Sequence, residues 1–318
     1  MKALNAGMRV FVSCLLVAGG ASAFADSSVD VGGHSAELCE GFFPKDFKVK
    51  SKKSRGRFLS ARQVEPVGLT EAEFNTVIDK IESIYTPIFA QLGSPLVVER
   101  DWASDDQNAY AFKRLAQSGL LFRGGLPRIP GMTKDAFMGV ACHEVGHHLG
   151  GLLPASGLTN EGGADYFATL KCLRLVFGDE DNAAIVAAST VDPVAKQRCE
   201  ESFASDADRL ICQRSSVLSQ VLGGFLAGDE APPKLDTPDT TVVTRTNSGH
   251  PAAQCRLDTY FAGSTCTVAH DIALSKTDYR EGACVEGTHT VGFRPKCWFK
   301  APEAFRRVRV LRLSSISH

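Results

Sequence analysis

The chain has 318 residues, 35 Lys and Arg against 36 Asp and Glu, and a formal net charge of −1. That balance lacks the basic excess by which nucleic-acid binders hold phosphates, so no nucleic-acid partner is expected. Beyond the first 25 residues no run approaches the ~20 apolar residues needed to span a bilayer, and the remaining length of about 290 residues can bury a full core.

Residues 1–25 read as a signal peptide: Lys2 and Arg9 precede an apolar stretch from Val10 to Ala18, and Ala21-Ser22-Ala23 and Ala23-Phe24-Ala25 are small-residue cleavage sites. The expected mature chain begins near Asp26 and is exported, either periplasmic or secreted. Cys14 leaves with the signal, so nine cysteines remain: Cys39, Cys142, Cys172, Cys199, Cys212, Cys255, Cys266, Cys284 and Cys297. Export favours disulfides, and the short separations suggest Cys199–Cys212, Cys255–Cys266 and Cys284–Cys297. An odd total leaves at least one thiol over, expected to be Cys142 on a buried helix.

Residues 26–69 read as an irregular lead-in whose basic run, Lys45 to Arg57, is a solvated surface. From Thr70 to Leu92 the pattern is helical: Thr70 and Glu73 form a capping box, and Phe74, Val77, Ile78, Ile81, Ile84, Tyr85 and Ile88 recur at helical spacing. Gly93 ends it. Leu96-Val97-Val98 predicts a strand. Asn108 to Phe112 and Leu120 to Arg123 predict two more, joined by a turn near Gln117-Ser118-Gly119. Residues 108–112 are either an edge strand, along which an extended peptide could add itself, or an ordinary structural hairpin.

Ala141-Cys142-His143-Glu144-Val145-Gly146-His147-His148 follows, on an apolar helix capped by Thr133 and stopped at Gly150-Gly151. His143 and His147, four residues apart, share one face and can grip a single metal ion. Glu144 flanks that face, where a carboxylate reaches metal-bound water more easily than the metal. A second helix, with Asn160 as N-cap, offers Glu161 as an oxygen ligand. Two imidazoles and one carboxylate, with a fourth position for water, are the ligand set of a catalytic zinc site. His148 points away from that face, and Leu153 stands where a longer zinc signature needs a histidine. Asp165, one turn past Glu161, reads as an ordinary first-turn acid or as a direct ligand in place of Glu161.

Helices are expected again over Ala183–Ala188, Pro193–Phe203, Ala207–Leu226 and Pro251–Phe261, with a Thr, Pro and Asp-rich loop over Asp229–Asn247. Residues 264–318 form a cysteine-rich extension ending in a basic tail, either a strand or disordered.

Taken together, Asn108-Ala109-Tyr110-Ala111, Gly125-Leu126, His143-Glu144-x-x-His147, Glu161-x-x-Ala164-Asp165 and His250-Pro251 with Arg256-Leu257 resemble the gluzincin metallopeptidases, closest to the CAAX prenyl protease and bacterial heat-shock membrane protease group. The resemblance implies an α+β, mainly α, zincin-like core over residues 70–263, with a small sheet packed on the active-site helix. It implies one Zn2+ on His143, His147 and Glu161, Glu144 as general base, Asp165 holding a ligand imidazole from behind, and His250 as donor to the oxyanion. Members of that group are mostly membrane-embedded, and they often carry a second acid where this chain has Gly162-Gly163. The expected function is an exported zinc endopeptidase acting on peptide or protein substrates; the alternatives are a disulfide-stabilised zinc-binding scaffold without turnover and a non-peptidase zinc hydrolase.

Overall fold

The computed structural model describes residues 37–45, 47–49, 67–152 and 157–302; the expected signal peptide, most of the basic run and the C-terminal basic tail lie outside them. Helix α1, Glu71–Gln91, forms as its capping box dictates, with the Thr70 hydroxyl accepting from the Glu73 amide and the Glu73 carboxylate accepting from the Thr70 amide. Its apolar stripe, Phe74, Val77, Ile78, Ile81, Tyr85 and Phe89, is buried. Part of that stripe packs on the motif helix α2, Lys134–Leu149, where Phe74 stacks on Phe137 at 5.5 Å and Phe89 meets the His148 ring edge-on.

A four-stranded sheet lies beside α2. Strands β2 (Leu96–Asp101), β3 (Ala109–Arg114) and β4 (Gln117–Arg123) match the three predicted runs. The hairpin turn falls at Leu115-Ala116, with Leu115 at φ 53°, and not at Gln117-Ser118-Gly119, whose residues are already paired in β4. The lead-in supplies an unexpected strand, β1 (Glu37–Leu38), antiparallel to β3, so the order is β1-β3-β4-β2. This corrects the expectation of an open edge at residues 108–112. Strand β3 is flanked on both sides, and its outer carbonyls accept from the amides of Cys39 and Phe42 at 3.0 and 3.1 Å.

The second motif opens α3, Glu161–Phe167, capped by the Asn160 side chain. The helix runs through a π turn, Ala168–Cys172, into α4, Leu173–Phe177. Helices α5 (Asn182–Ala187), α6 (Pro193–Ser202), α7 (Asp206–Leu226) and α8 (Ala253–Thr265) complete the mainly helical body. Arg214 of α7 clamps Asp135 at the start of α2 with two bonds of 2.7 and 2.6 Å. Leu274, Ala283 and Cys284 of the C-terminal region join the same core as α1 and α2. Gly162 faces the Trp298 ring so closely that a Cβ would sit 2.2 Å from it. Gly162 thus makes room for the C-terminal region, while Gly163 makes room for Thr159 and the Asn160 cap.

Four disulfides brace this body: Cys142–Cys172, Cys199–Cys212, Cys255–Cys297 and Cys266–Cys284. Of the pairings expected from short separation only Cys199–Cys212 forms. Cys255 lies at the start of α8 and Cys266 just past its end. Eleven residues of helix (266 − 255) put them roughly 16 Å apart, whereas bridged Cα atoms sit about 4.4–6.8 Å apart. Cys142 is not the free thiol, because α2 packs against the π turn and brings Cys172 within bonding range. Among the described residues the free thiol is Cys39, in the lead-in.

Candidate metal centre

Helical spacing places His143 and His147 on the face of α2 that meets α3, and the Asn160 cap starts α3 where Glu161 reaches both rings. The Nε2 atoms of the two histidines are 3.1 Å apart, and Glu161 oxygens lie 3.3 Å from His143 Nε2 and 3.5 Å from His147 Nε2. The other ring nitrogens are engaged. His143 Nδ1–H donates to Asp165 at 2.7 Å, and His147 Nδ1–H donates to the Thr159 carbonyl at 2.8 Å. With Nδ1–H donated on both rings, the Nε2 atoms face each other beside a carboxylate. Three such donor atoms in a buried space need a positive charge between them, a proton on His143 or a metal ion in its place. Ligands about 2.0–2.1 Å from a tetrahedral ion lie about 3.3–3.4 Å from each other, close to the spacing seen. Glu161 Oε2 and Glu144 Oε1 are also buried without a hydrogen-bond partner, which costs free energy unless something polar or charged meets them. The donor set therefore fits a divalent metal ion.

The charges point the same way. Burial alone would lower the His143 pKa, but the Asp165 and Glu161 carboxylates outweigh it and raise it to about 9. Burial pushes Glu161 up, and the imidazoles of His147, His143 and His250 more than reverse this, holding it at about 2. His147, where burial dominates, falls to about 4. The cluster draws positive charge to its centre. Glu144, next along α2, is raised to about 7, first by burial and then by the Glu161 charge, against lowering by His143, Cys39 and Arg256.

Behind the cluster, Arg256 of α8 grips Asp165 with two bonds of 2.7 Å, and its third nitrogen donates to the Phe42 carbonyl at 2.8 Å. Burial disfavours the Arg256 charge, yet the Asp165 carboxylate more than compensates and drives its pKa further up; Asp165 is held well below the usual carboxylate range. Asp165 is thus the residue behind His143, in the position the resemblance implies, and not a member of the converging donor set. Tyr260, one turn after Arg256, brings its hydroxyl to 3.5 Å from His143 Nδ1.

His250 does lie beside the cluster, with Nε2 3.4 Å from Glu161 Oε2. Its bonds, however, run to the lead-in: Nε2–H donates to the Gly41 carbonyl at 2.8 Å, and Nδ1 lies 3.1 Å from Glu40. His148 turns to the sheet, where Nε2–H donates to the Gly119 carbonyl at 3.0 Å, and burial lowers its pKa to about 3. Cys39 Sγ sits 3.7 Å from Glu144 Oε2, and Cys39, Glu144 and His147 offer ligand atoms all within 4.8 Å of one another.

Comparison of the chain with protein-family models, curated proteins and solved structures finds no match. The reading of the site rests on its geometry.

The sequence assigns no role to four contributors. Arg256 belongs to the segment that carries the resemblance, and Tyr260 stands four residues on along the same helix, but nothing in the sequence marks their shared face as the one behind the histidines. The Thr159 carbonyl carries no sequence signal. Cys39 was visible only as one of nine cysteines.

Proposed function

We propose that this chain is a metal-dependent peptidase with a gluzincin-type core, exported and using zinc. The observation that carries the reading is the convergence of His143, His147 and Glu161 with the Glu144 carboxylate beside them. A purely structural metal site needs no further buried acid raised to about 7, whereas a general base works best when its pKa lies near the operating pH.

A divalent ion bound there supplies Lewis acidity toward a substrate carbonyl and toward water. The protein's own groups do the rest. Glu144 takes a proton from the attacking water and returns it to the leaving amine. The Asp165 carboxylate and the Thr159 carbonyl fix the two imidazoles in the tautomer that points Nε2 inward, and Arg256 keeps Asp165 from turning away. This outer layer sets ligand orientation and basicity. His250, adjacent to Glu161, is the group able to donate to a developing oxyanion once its bond to Gly41 is given up. Four disulfides and the absence, among the described residues, of any helix long and apolar enough to cross a membrane support the exported assignment.

Metal analysis of the purified mature chain, paired with cleavage of an unbiased peptide library with and without chelator, tests the reading. One equivalent of zinc and cleavage that is lost on chelation and restored by zinc are expected. Bound zinc with no peptide cleaved, under conditions where the site is open, would transfer the assignment to a non-catalytic metal site.

A further inference from the structure

The lead-in lies where a substrate would have to lie. Its residues pair with the outer side of β3, the strand nearest the metal cluster on that flank: β1 matches Glu37 to Lys113 and Leu38 to Phe112, and the ladder continues through the Cys39 and Phe42 amides. An extended peptide adding to this sheet needs the same carbonyls. Six further contacts tie the segment to the sheet and the catalytic layer. The Ala111 amide donates to Cys39 Sγ at 3.1 Å, and that sulfur faces Glu144. Gly41 and Glu40 occupy both nitrogens of His250, and Phe42 takes a bond from Arg256 and meets the His143 ring edge-on at 5.2 Å.

A lone thiol would not make a ligand site. Here it sits within 4.8 Å of a His147 ring nitrogen and of Glu144, just outside the group that His143, His147 and Glu161 form, so a short shift of its segment brings it to the same ion; Glu144 Oε1 and Glu161 Oε2 are buried without a partner. Zinc accepts thiolate sulfur readily, and a fourth protein ligand turns an open catalytic site into a closed one.

We propose that Cys39 is a fourth ligand to the ion held by His143, His147 and Glu161, delivered by residues 37–41 as a built-in plug that occupies the substrate's place. This rests on the metallopeptidase reading above. The plug has an anchored end and a releasable end. Phe42 and Phe43 are buried in the main core and stay. Gly41, at φ 86°, is the joint, since a side chain there would strike Asn108 and Tyr110 and only glycine adopts that backbone easily. Upstream of it, the described contacts are a two-residue ladder, one amide bond, the sulfur and the Glu40 contact, with the Glu40 side chain two-thirds exposed. Swinging residues 37–40 about Gly41 uncovers β3 from Ala111 to Lys113, releases His250 Nδ1 from Glu40 and vacates the fourth ligand position together.

The test uses the full mature chain and its Cys39→Ser variant, each loaded with Co2+ for spectroscopy and with Zn2+ for peptide cleavage. The expected result is a near-ultraviolet sulfur-to-cobalt charge-transfer band in the unmodified chain that is absent in Cys39→Ser. The visible cobalt bands persist in both, and cleavage by the variant is about tenfold or more faster. Visible cobalt bands without the sulfur band in the unmodified chain would overturn the plug while leaving the peptidase reading intact if cleavage occurs. A sulfur band lost in Cys39→Ser, with no cleavage by either protein, would overturn both, leaving a closed four-ligand structural site. Failure of either chain to bind cobalt or zinc would overturn the metal reading itself.

Discussion

The two sides of the metal cluster are built differently. Behind it, Asp165, Arg256 and Tyr260 are buried, linked by paired charge-assisted bonds, and flanked by the Cys142–Cys172 and Cys255–Cys297 bridges. In front, Cys39, Glu40, Gly41 and His250 are joined by single backbone bonds and partial exposure, with one glycine joint. Orientation of the imidazoles falls to the side held by paired charged bonds. On the proposal above, access falls to the side whose single contacts an extended peptide could replace.

Breaking each side should therefore have a different signature. The largest effect is expected from the acid between them: Glu144→Gln keeps the shape of the side chain but cannot take a proton, so cleavage falls about 10²–10⁴-fold while metal content, read by elemental analysis, is unchanged. On the rear side, Arg256→Met leaves Asp165 as a buried carboxylate without its partner, and urea unfolding should show a loss of about 3–5 kcal/mol. Removing the bridge with Cys142→Ala and Cys172→Ala together opens a 30-residue loop and should cost about 2–4 kcal/mol in the same assay. Asp165→Asn sharpens the comparison further. It retains a hydrogen-bond acceptor for the His143 ring but loses the charge, and zinc affinity measured by chelator competition should weaken about 10–100-fold.

The smallest effect is a pH dependence of stability, measured with chelator present. Glu161 releases its proton near 2 when folded against an ordinary 4.5. The unfolded chain therefore binds more protons in that window, and stability falls as pH drops from about 4.5 toward 2. His143 has the opposite sign: the folded chain holds a proton up to about 9 against an ordinary 6.5, so its contribution is lost as pH rises through that interval. Between them Glu144, raised to about 7, and His147, lowered to about 4, act in opposite directions and largely cancel. His148, lowered to about 3 by burial, is not offset, so its neutral form adds stability as pH rises to 6.5; the expected profile climbs to a maximum near 6.5 and falls on the alkaline side. A profile rising steadily from 6.5 to 9 would show that Asp165 and Glu161 do not govern the His143 proton.

Which features the sequence disclosed follows from the range of the interactions involved. The capping box at Thr70, the stripe of α1, the three strand runs and the four-residue spacing of the histidines are local, and backbone geometry translates them directly into position. That is why helix α2 and its ligand pair could be read before any fold was known, and why Glu161 could be joined to them through its own N-cap. Disulfide partners, the flanking of β3 and the face of α8 turned toward His143 are not local. Separation along the chain misled for Cys255 and Cys266 because a straight helix holds its two ends apart. Burial misled for Cys142, because there it means contact with another helix that carries a cysteine. The two-residue β1 has too little periodicity to announce itself and exists because β3 presents unpaired carbonyls to it. The sequence by itself determined the ligand types and the helices that carry them, since these depend on neighbours within one or two turns. Only the tertiary structure decided what stands in front of the two histidines and Glu161, because that neighbour is a segment more than a hundred residues away in the chain.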